Sequence, residues 1–276
     1  MRGKWITFLA AAAAALLIAS AGLSGAPPPG EAGKARVVVT SDTILSGMIA
    51  SLLPPGRYVV DAVLSPGQCP GHYDVKFSDI EKIKRADLVV SFTGMPFMKI
   101  IGAEGRKLLL VDTEDRNWMV PDSYLHGLGL LAGELSKRFP EDRETILRCK
   151  EETTRTVRNT SRSLVRNIRR AGLSGKPVIA SSMQKEPLEW MGFLVVGEYG
   201  RPEAMSAGEI VRIVKTGKER HAIAVVDNLQ SGPDAGRGIA ETLGIPHVVL
   251  TNFPSEEGYL ATLGENTAVI MAALRK

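Results

Sequence analysis

The sequence predicts an α/β protein with two lobes, each built on a mainly parallel sheet flanked by helices, and joined by one long spine helix. Short β-branched apolar segments alternate with helical segments along most of the chain, which is typical of βαβ units. A charge-rich segment without Pro or Gly, residues 141–171, interrupts this alternation once. The alternation then restarts, so the pattern predicts two α/β halves joined by a helix.

Composition sets the first limits on function. The chain has 276 residues, with 34 Lys+Arg against 30 Asp+Glu and 44% apolar residues, which is ordinary for a globular protein. Two of the basic residues lie in a predicted N-terminal signal, and the remaining 32 (34 − 2) against 30 give no reason to expect nucleic acid as a partner. Two cysteines exclude a disulfide scaffold and a four-cysteine zinc site.

Residues 1–26 have the order of a secretory signal. Two basic residues precede an apolar stretch at 6–19, and small residues follow, with cleavage expected after Ala21 or Ala26. This predicts export to the periplasm or another extracytoplasmic location. An uncleaved membrane anchor is the alternative, because the apolar stretch is just long enough to span a bilayer. Residues 27–35 are predicted to be a linker.

Residues 36–140 are predicted to form the N-terminal lobe. Its strands are expected at residues 36–40, 58–64, 88–92 and 107–111. Its helices are expected at residues 43–53, from a capping box at 78–81, and from 121 to about 138. Pro54 and Pro55 stop the first of these helices.

Residues 141–172 are predicted to form the spine helix. One side carries a narrow, partly apolar stripe at spacings of three and four, namely Ile146, Cys149, Thr153, Val157, Thr160, Leu164 and Ile168. At 1.5 Å per residue such a helix is roughly 45 Å long, enough to run the length of a two-lobed molecule.

Residues 173–276 are predicted to form the C-terminal lobe. Its strands are expected at residues 177–180, 193–196, 222–226 and 248–250. Its helices are expected at residues 186–191, from a capping box at 206–209 to about 215, at 232–243 and at 255–274. Gly244 is a suitable residue to end the third of these helices.

The ligand site is expected where strands end, because open parallel sheets bind ligands beyond the carboxyl ends of their strands. Polar residues gather at these ends in both halves, so a cleft between the two lobes is the expected site. The residues at strand ends are Ser41, Asp42, the loop 65–73, Asp112, the loop 114–118, Ser181, Ser182, Glu198, Asp227 and Asn252.

Several stretches resemble one family. The segment 72–90, with His72 followed by a short helix and a strand, is similar to a first-ligand loop and its helix–strand continuation. Residues 118–121 resemble a Trp-Leu-Asp-Pro element, and the unbroken helix 141–171 matches a rigid spine. Segments 202–207 and 258–266 fit the second lobe. The chain is thereby similar to the zinc/manganese TroA-like solute-binding proteins of ABC importers over about residues 36–275.

This resemblance implies a divalent cation, zinc or manganese, as the transported ligand. The four family ligand positions fall on His72, Arg116, Ser181 and Asn252. Only His72 is a good ligand, because zinc and manganese prefer imidazole, thiolate or carboxylate and an arginine cannot coordinate. The sequence therefore predicts a degenerate metal site.

Three alternatives follow for the cleft. In the first, Cys69, His72 and Asp227 form a rebuilt metal site. In the second, the cleft binds an anionic or chelated solute, with Arg116 giving bidentate contacts and hydroxyl and amide side chains giving hydrogen bonds. These hydrogen-bonding residues are Ser181, Ser182 and Asn252. In the third, the protein is an adhesin or scaffold with a vestigial cleft.

The function predicted from the sequence is capture of a solute for transport. Enzyme signatures such as Gly-x-Ser-x-Gly, a Walker loop, His-Glu-x-x-His and Gly-x-Gly-x-x-Gly are absent from the sequence, so no catalysis is expected. The resemblance implies an ABC permease in the cytoplasmic membrane as the partner, and we expect a monomer.

Overall fold

A computed structural model describes residues 34–98 and 107–275. The predicted signal, residues 1–26, and most of the predicted linker, residues 27–35, lie outside the described residues. Within the described ranges, every helix is too short or too polar to cross a membrane.

The first half contains one four-stranded sheet, and all its neighbouring strands are parallel. Its spatial order is β2-β1-β3-β4. All five residues of β3 are buried, as expected for a central strand covered on both faces. The strands are β1 (Arg36–Thr40), β2 (Tyr58–Ala62), β3 (Leu88–Phe92) and β4 (Leu108–Val111).

The helices described in the first half are α1 (Thr43–Leu52), α2 (Phe77–Arg85) and α3 (Pro121–Arg138). The prediction that a capping box at 78–81 opens α2 is wrong in register, because the helix begins at Phe77 after Lys76. The Asp79 carboxylate accepts hydrogen bonds from the Lys76 amide at 2.8 Å and from the Tyr73 hydroxyl at 2.6 Å. The acidic residue of the helix cap is therefore Asp79 rather than Glu81.

The predicted spine is helix α4 (Arg143–Arg170), 28 residues and about 42 Å long. It contacts α1 and α3 of the first half and helices of the second half. Its buried residues include Ile146, Val157 and Ile168, three members of the predicted stripe. The helix therefore packs against both halves through one side and leaves the other side to solvent.

The second half repeats the arrangement of the first. Its parallel sheet has the order β6-β5-β7-β8. The strands are β5 (Pro177–Ser181), β6 (Leu194–Tyr199), β7 (Val225–Asn228) and β8 (His247–Leu250). The α/β fold class with two parallel sheets and a long connecting helix is thus confirmed.

The helices of the second half are α5 (Ser182–Met191), α6 (Ala207–Glu219), α7 (Arg237–Leu243) and α8 (Tyr259–Leu274). The predicted capping box at Ser206 and helix end at Gly244 are both present, and Gly244 has a φ of 65°. Helix α5 begins four residues earlier than predicted. Helix α8 begins later than predicted, because Gly258 adopts a φ of 90° that a helix does not allow.

Candidate functional site

A cleft lies beyond the carboxyl ends of the strands of both sheets. It is a cavity of about 370 Å³ lined by residues of both halves. The first half contributes Arg116, Asn117 and Trp118, and the second contributes Ser182, Glu186 and Asn252. The structure therefore brings together three residues predicted from the sequence to contact a solute, Arg116, Ser182 and Asn252.

The loop after β4 enters the cleft in a strained conformation. Glu114 and Asp115 have φ values of 51° and 57°, in the left-handed region that favours glycine. Each such residue costs about 1–2 kcal/mol. The Asp112 carboxylate accepts a hydrogen bond from the Glu114 amide at 2.9 Å, and the Thr113 carbonyl accepts one from the Arg116 amide at 3.0 Å. Strain of this kind is concentrated at functional loops, where the surrounding contacts maintain it.

Asn117 connects this loop to the second half. Its side-chain nitrogen donates to the Met183 carbonyl at 2.9 Å, and its backbone amide donates to the Glu186 carboxylate at 3.1 Å. Its side-chain oxygen accepts from the Met119 amide at 2.9 Å. One asparagine thus fixes the loop conformation and holds it against the beginning of α5.

Trp118 forms part of the wall of the cleft and is 3% exposed. Its ring meets Phe92 edge-on, with ring centroids 4.6 Å apart. Gly127 of α3 faces the other side of the indole, and a Cβ atom built there would lie 2.6 Å from two ring carbons. The glycine is therefore required for the position of the tryptophan.

Arg116 is about half exposed and carries the main positive charge of the cleft. Its Nε lies 3.4 Å from a Glu114 carboxylate oxygen. The same oxygen is 3.4 Å from Nε2 of His126. Because exposed ion pairs of this length contribute at most about 1 kcal/mol, the guanidinium remains available to a solute.

The second half presents acceptors to the cleft. The Asn252 amide donates to the Gln230 side-chain oxygen at 3.0 Å, which fixes the backbone after β8. The Asn252 side-chain oxygen is buried and has no hydrogen-bond partner. Such an oxygen is costly unless a ligand or water donates to it.

Glu186 is a cleft residue that sequence reasoning missed. Because the helix was predicted to begin at residue 186, Glu186 was not expected near the carboxyl end of β5. A predicted helix beginning at Ser182 would have placed Glu186 one turn further along that helix, on the same side as Ser182 and next to the cleft. The helix-favouring residues ahead of Pro187 were the available signal.

Ser181 and the 69–72 loop lie apart from the cleft lining. Ser181 is 5% exposed and is the residue before α5, whereas Ser182 reaches the cavity. Cys69 and His72 line a separate pocket of about 280 Å³ that also includes Asp74 and Lys76. The predicted proximity of Cys69 and His72 is present, but a lysine shares their pocket.

Gly71, between Cys69 and His72, faces the second half of the molecule. A Cβ atom built on Gly71 would lie 3.2 Å from Nη1 of Arg201. The Arg201 guanidinium therefore lies against the 69–72 loop. A bare cation beside this loop would be opposed by two positive side chains, Lys76 and Arg201.

Asp227, the third residue of the predicted rebuilt metal site, is fully buried. Its carboxylate accepts hydrogen bonds from the Tyr199 hydroxyl at 2.5 Å and the Gly236 amide at 2.9 Å, and lies 2.6 Å from the His247 ring nitrogen. Burial raises the pKa of Tyr199 and the Asp227 charge raises it further. The structure uses Asp227 inside the second half and does not bring it to Cys69 and His72.

The donor set does not match a usual site for a bare zinc or manganese ion. Across the part of the chain that the structure describes, no three His, Cys, Asp or Glu side chains are placed to hold a metal ion together. Cys69 and Cys149 are both free thiols. The cleft instead combines one guanidinium with amide, hydroxyl and carboxylate groups.

Comparisons of sequence and of structure differ in what they find. No family model matches the chain, and no curated protein matches it in sequence. A Cd-bound periplasmic metal-binding protein from Candidatus Liberibacter asiaticus matches its structure with a TM-score of 0.74 and 15% identity, covering 87% of this chain and 99% of that one. A Mn-bound structure of the periplasmic metal-binding protein from the same organism matches with a TM-score of 0.73 and 15% identity, covering 87% of this chain and 99% of that one.

A ZnuA crystal structure also matches, with a TM-score of 0.73 and 14% identity, covering 87% of this chain and 100% of that one. The chain therefore has the two-lobed TroA-like fold of periplasmic metal-binding proteins. The resemblance predicted from the sequence is confirmed as a likeness of fold. At 14–15% identity, the likeness transfers no residue role to this chain.

Proposed function

We propose that this protein is an extracytoplasmic solute-binding receptor that delivers its cargo to an ABC permease. The cargo is a small solute with an anionic group, which includes a divalent metal carried as a chelate. The observation that carries this proposal is the 370 Å³ cavity between the halves, lined by Arg116 from the first half and by Ser182, Glu186 and Asn252 from the second. Its volume falls in the range of about 300–1,000 Å³ usual for small-molecule sites.

The chemistry of the cleft favours a solute with both charge and hydrogen-bond donors. The guanidinium of Arg116 can bind a carboxylate or phosphate in a bidentate manner. A hydroxyl or amine on the same solute would donate to Asn252 and to the Glu186 carboxylate. A metal chelated by a carboxylate molecule brings these groups together and agrees with the metal-bound proteins of the same fold.

A bare zinc or manganese ion is the second candidate. It is supported by the metal-bound structures that share this fold and by the shared pocket of Cys69, His72 and Asp74. The positive side chains beside that pocket oppose it. Removing His72 distinguishes this candidate from the first, because His72 lies outside the cleft lining.

Capture needs contacts from both halves. The cleft lining is divided between the loop 113–118 and the segments 182–186 and 252–253, so a bound solute connects them. The long spine α4 contacts both halves along one side. We expect the two halves to close only modestly around a solute, because a single stiff helix joins them in place of the flexible strands of a wide hinge. The permease then distinguishes the closed, loaded form from the empty one. No catalytic step is required.

Calorimetric titration of the exported chain tests the proposal. Zinc chloride, manganese chloride, citrate and zinc citrate serve as probes. We expect citrate or zinc citrate to bind, with Arg116→Gln and Asn252→Leu each weakening binding tenfold or more. Arg85→Gln is the control, because Arg85 is exposed on α2. This substitution removes one positive charge at a position away from the cleft.

The other outcomes are equally informative. Tight binding of zinc chloride that is lost in His72→Ala supports the bare-ion candidate. Binding of no probe by the wild type contradicts both candidates and favours the scaffold with a vestigial cleft.

A further inference from the structure

A second concave site lies along the spine helix. It is a groove of about 520 Å³ between the start of α3, the second half of α4 and Trp190 of α5. Four arginines of α4 line it, Arg158, Arg162, Arg166 and Arg169. The groove shares no lining residue with the cleft cavity.

The arginines of this groove have little neutralising charge nearby, although Arg158 interacts electrostatically with Glu151. In the described ranges, no carboxylate forms an ion pair with any of the four, whereas Arg148 on the same helix pairs with Glu152 at 3.5 Å. Asp122 is the acidic residue among the groove's lining residues. From residue 155 to residue 170 the helix has six arginines and no acidic residue, namely Arg155, Arg158, Arg162, Arg166, Arg169 and Arg170.

The fold does not need these charges. All four guanidinium side chains belong to exposed residues, while Val157 and Ile168 pack the opposite side of the helix into the core. Arginines four residues apart on a helix repel each other, so the stripe works against helix stability. A binding function explains why the charges converge on one concave surface.

The base of the groove is formed by packed, partly apolar side chains. Ser161 is 7% exposed at its base, and Val165 lies beside it. Trp190 is half-buried and packs against the hydrophobic cores of both halves. The arginines therefore project from a surface held in place by both lobes rather than from a loop.

We infer that this groove binds a short, linear polyanion that carries several phosphate groups. Arginine forks match phosphate oxygens in a bidentate manner, and four of them arranged over about 17 Å of helix axis can contact successive phosphates. A concave groove admits a free chain molecule, whereas the flat surface of a bilayer would touch only its rim. The small net charge of the whole chain, +4, gave no sign of this site, because most acidic residues lie elsewhere.

Tripolyphosphate is the probe, titrated calorimetrically into the full chain at low ionic strength. We expect wild-type binding to weaken at least tenfold in Arg162→Gln/Arg166→Gln and to weaken as salt rises. Arg155→Gln/Arg220→Gln is the matched control, because it removes two positive charges from exposed residues outside the groove. The control should bind within twofold of the wild type.

A second variant protects the test against misfolding. Arg162→Lys/Arg166→Lys keeps the charge but loses the bidentate fork, and we expect a several-fold loss of affinity. Equal weakening by the groove pair and the control pair would overturn the inference in favour of non-specific attraction. Binding to vesicles of anionic lipid, or to an oligonucleotide, with no binding of tripolyphosphate would also overturn it.

Discussion

The backbone amide of Asn117 donates a hydrogen bond to Oε2 of Glu186, 3.1 Å away, and so joins the strained loop of the first half to α5 of the second. Glu186→Ala removes the acceptor, and we expect the free energy of unfolding to fall by about 0.5–1.5 kcal/mol. Solute affinity should fall as well, because the loop loses its orientation. Chemical denaturation and calorimetric titration measure the two effects.

Glu186→Gln separates the hydrogen bond from the charge. The amide oxygen can still accept from Asn117, so stability should stay within about 0.5 kcal/mol of the wild type. Removal of the negative charge should strengthen binding of an anionic solute to Arg116. If Gln and Ala lower stability equally, the hydrogen bond is not what joins the halves.

Two glycines of the same helix, α3, should respond in opposite directions to alanine. At Gly127 a Cβ atom would lie 2.6 Å from carbons of the buried Trp118 ring, and overpacking of this kind costs about 1–3 kcal/mol. At Gly129 nothing lies within 4 Å, so alanine should stabilise the helix by up to about 1 kcal/mol. Urea denaturation of both variants makes the comparison.

Both substitutions replace glycine by alanine in the same helix, so the difference in helix propensity is the same for both and cancels when they are compared. A Gly127→Ala variant as stable as Gly129→Ala would show that Trp118 can move away at no cost. In that case the wall of the cleft is softer than its packing suggests.

Asp42 caps α1 from a fully buried position, and burial raises the pKa of its carboxyl from 3.8 to about 6. The folded state therefore binds more protons than the unfolded state between about pH 4 and pH 6. Stability from this group is present below pH 4 and is lost as the pH rises through 6, by up to about 3 kcal/mol.

Asp42→Asn should remove this dependence. Asparagine caps helices about as well as aspartate, and Ser41, which donates to the carboxylate at 2.7 Å, can rotate its hydroxyl to accept from the amide. The variant should gain stability relative to the wild type between pH 4 and pH 7. Parallel stability curves over this range, measured by denaturation, would contradict the expected titration.

Asp227→Asn tests whether this carboxylate holds the fold or a metal. Its oxygens contact Tyr199, Gly236 and His247 inside the second half, so we expect a loss of about 2–4 kcal/mol of stability. Affinity for zinc chloride should not change. Asp234→Asn, at an exposed position, should change stability by less than about 0.5 kcal/mol. A selective loss of zinc binding in the folded Asp227 variant would restore Asp227 as a ligand.

Local patterns in the sequence predicted most elements of the fold. The strands around Val38 and Val89, the capping box at Ser206 and the end of α7 at Gly244 all depend on neighbouring residues, which the sequence displays directly. Strands β6 and β7 end three and two residues later than predicted. Further errors lie at the beginnings of α2, α5 and α8, and of α7, which begins at Arg237 instead of residue 232. There, contacts such as the Tyr73–Asp79 hydrogen bond or a glycine with positive φ decide where a helix begins.

The candidate site was only partly predictable. That Arg116, Ser182 and Asn252 meet in one cleft follows from their places at strand ends, which parallel topology brings to one edge of each sheet. The unpartnered oxygen of Asn252 could not be inferred, because hydrogen bonding depends on residues far away in the chain. Glu186 was missed because the predicted start of α5 was four residues too late. Asp227 was also expected at a strand end, yet it lies within β7 and its carboxylate contacts Tyr199 and His247.

By itself, the sequence determined that the chain alternates strands and helices in two halves around a charge-rich spine, since periodicity and capping act over a few residues. Only the tertiary structure decided which polar groups remain free. It turned Asp227 inward, opened the cleft to Arg116 and gathered four arginines of α4 into one groove. The physical reason is that a side chain's availability depends on which distant neighbours satisfy its charge and hydrogen bonds.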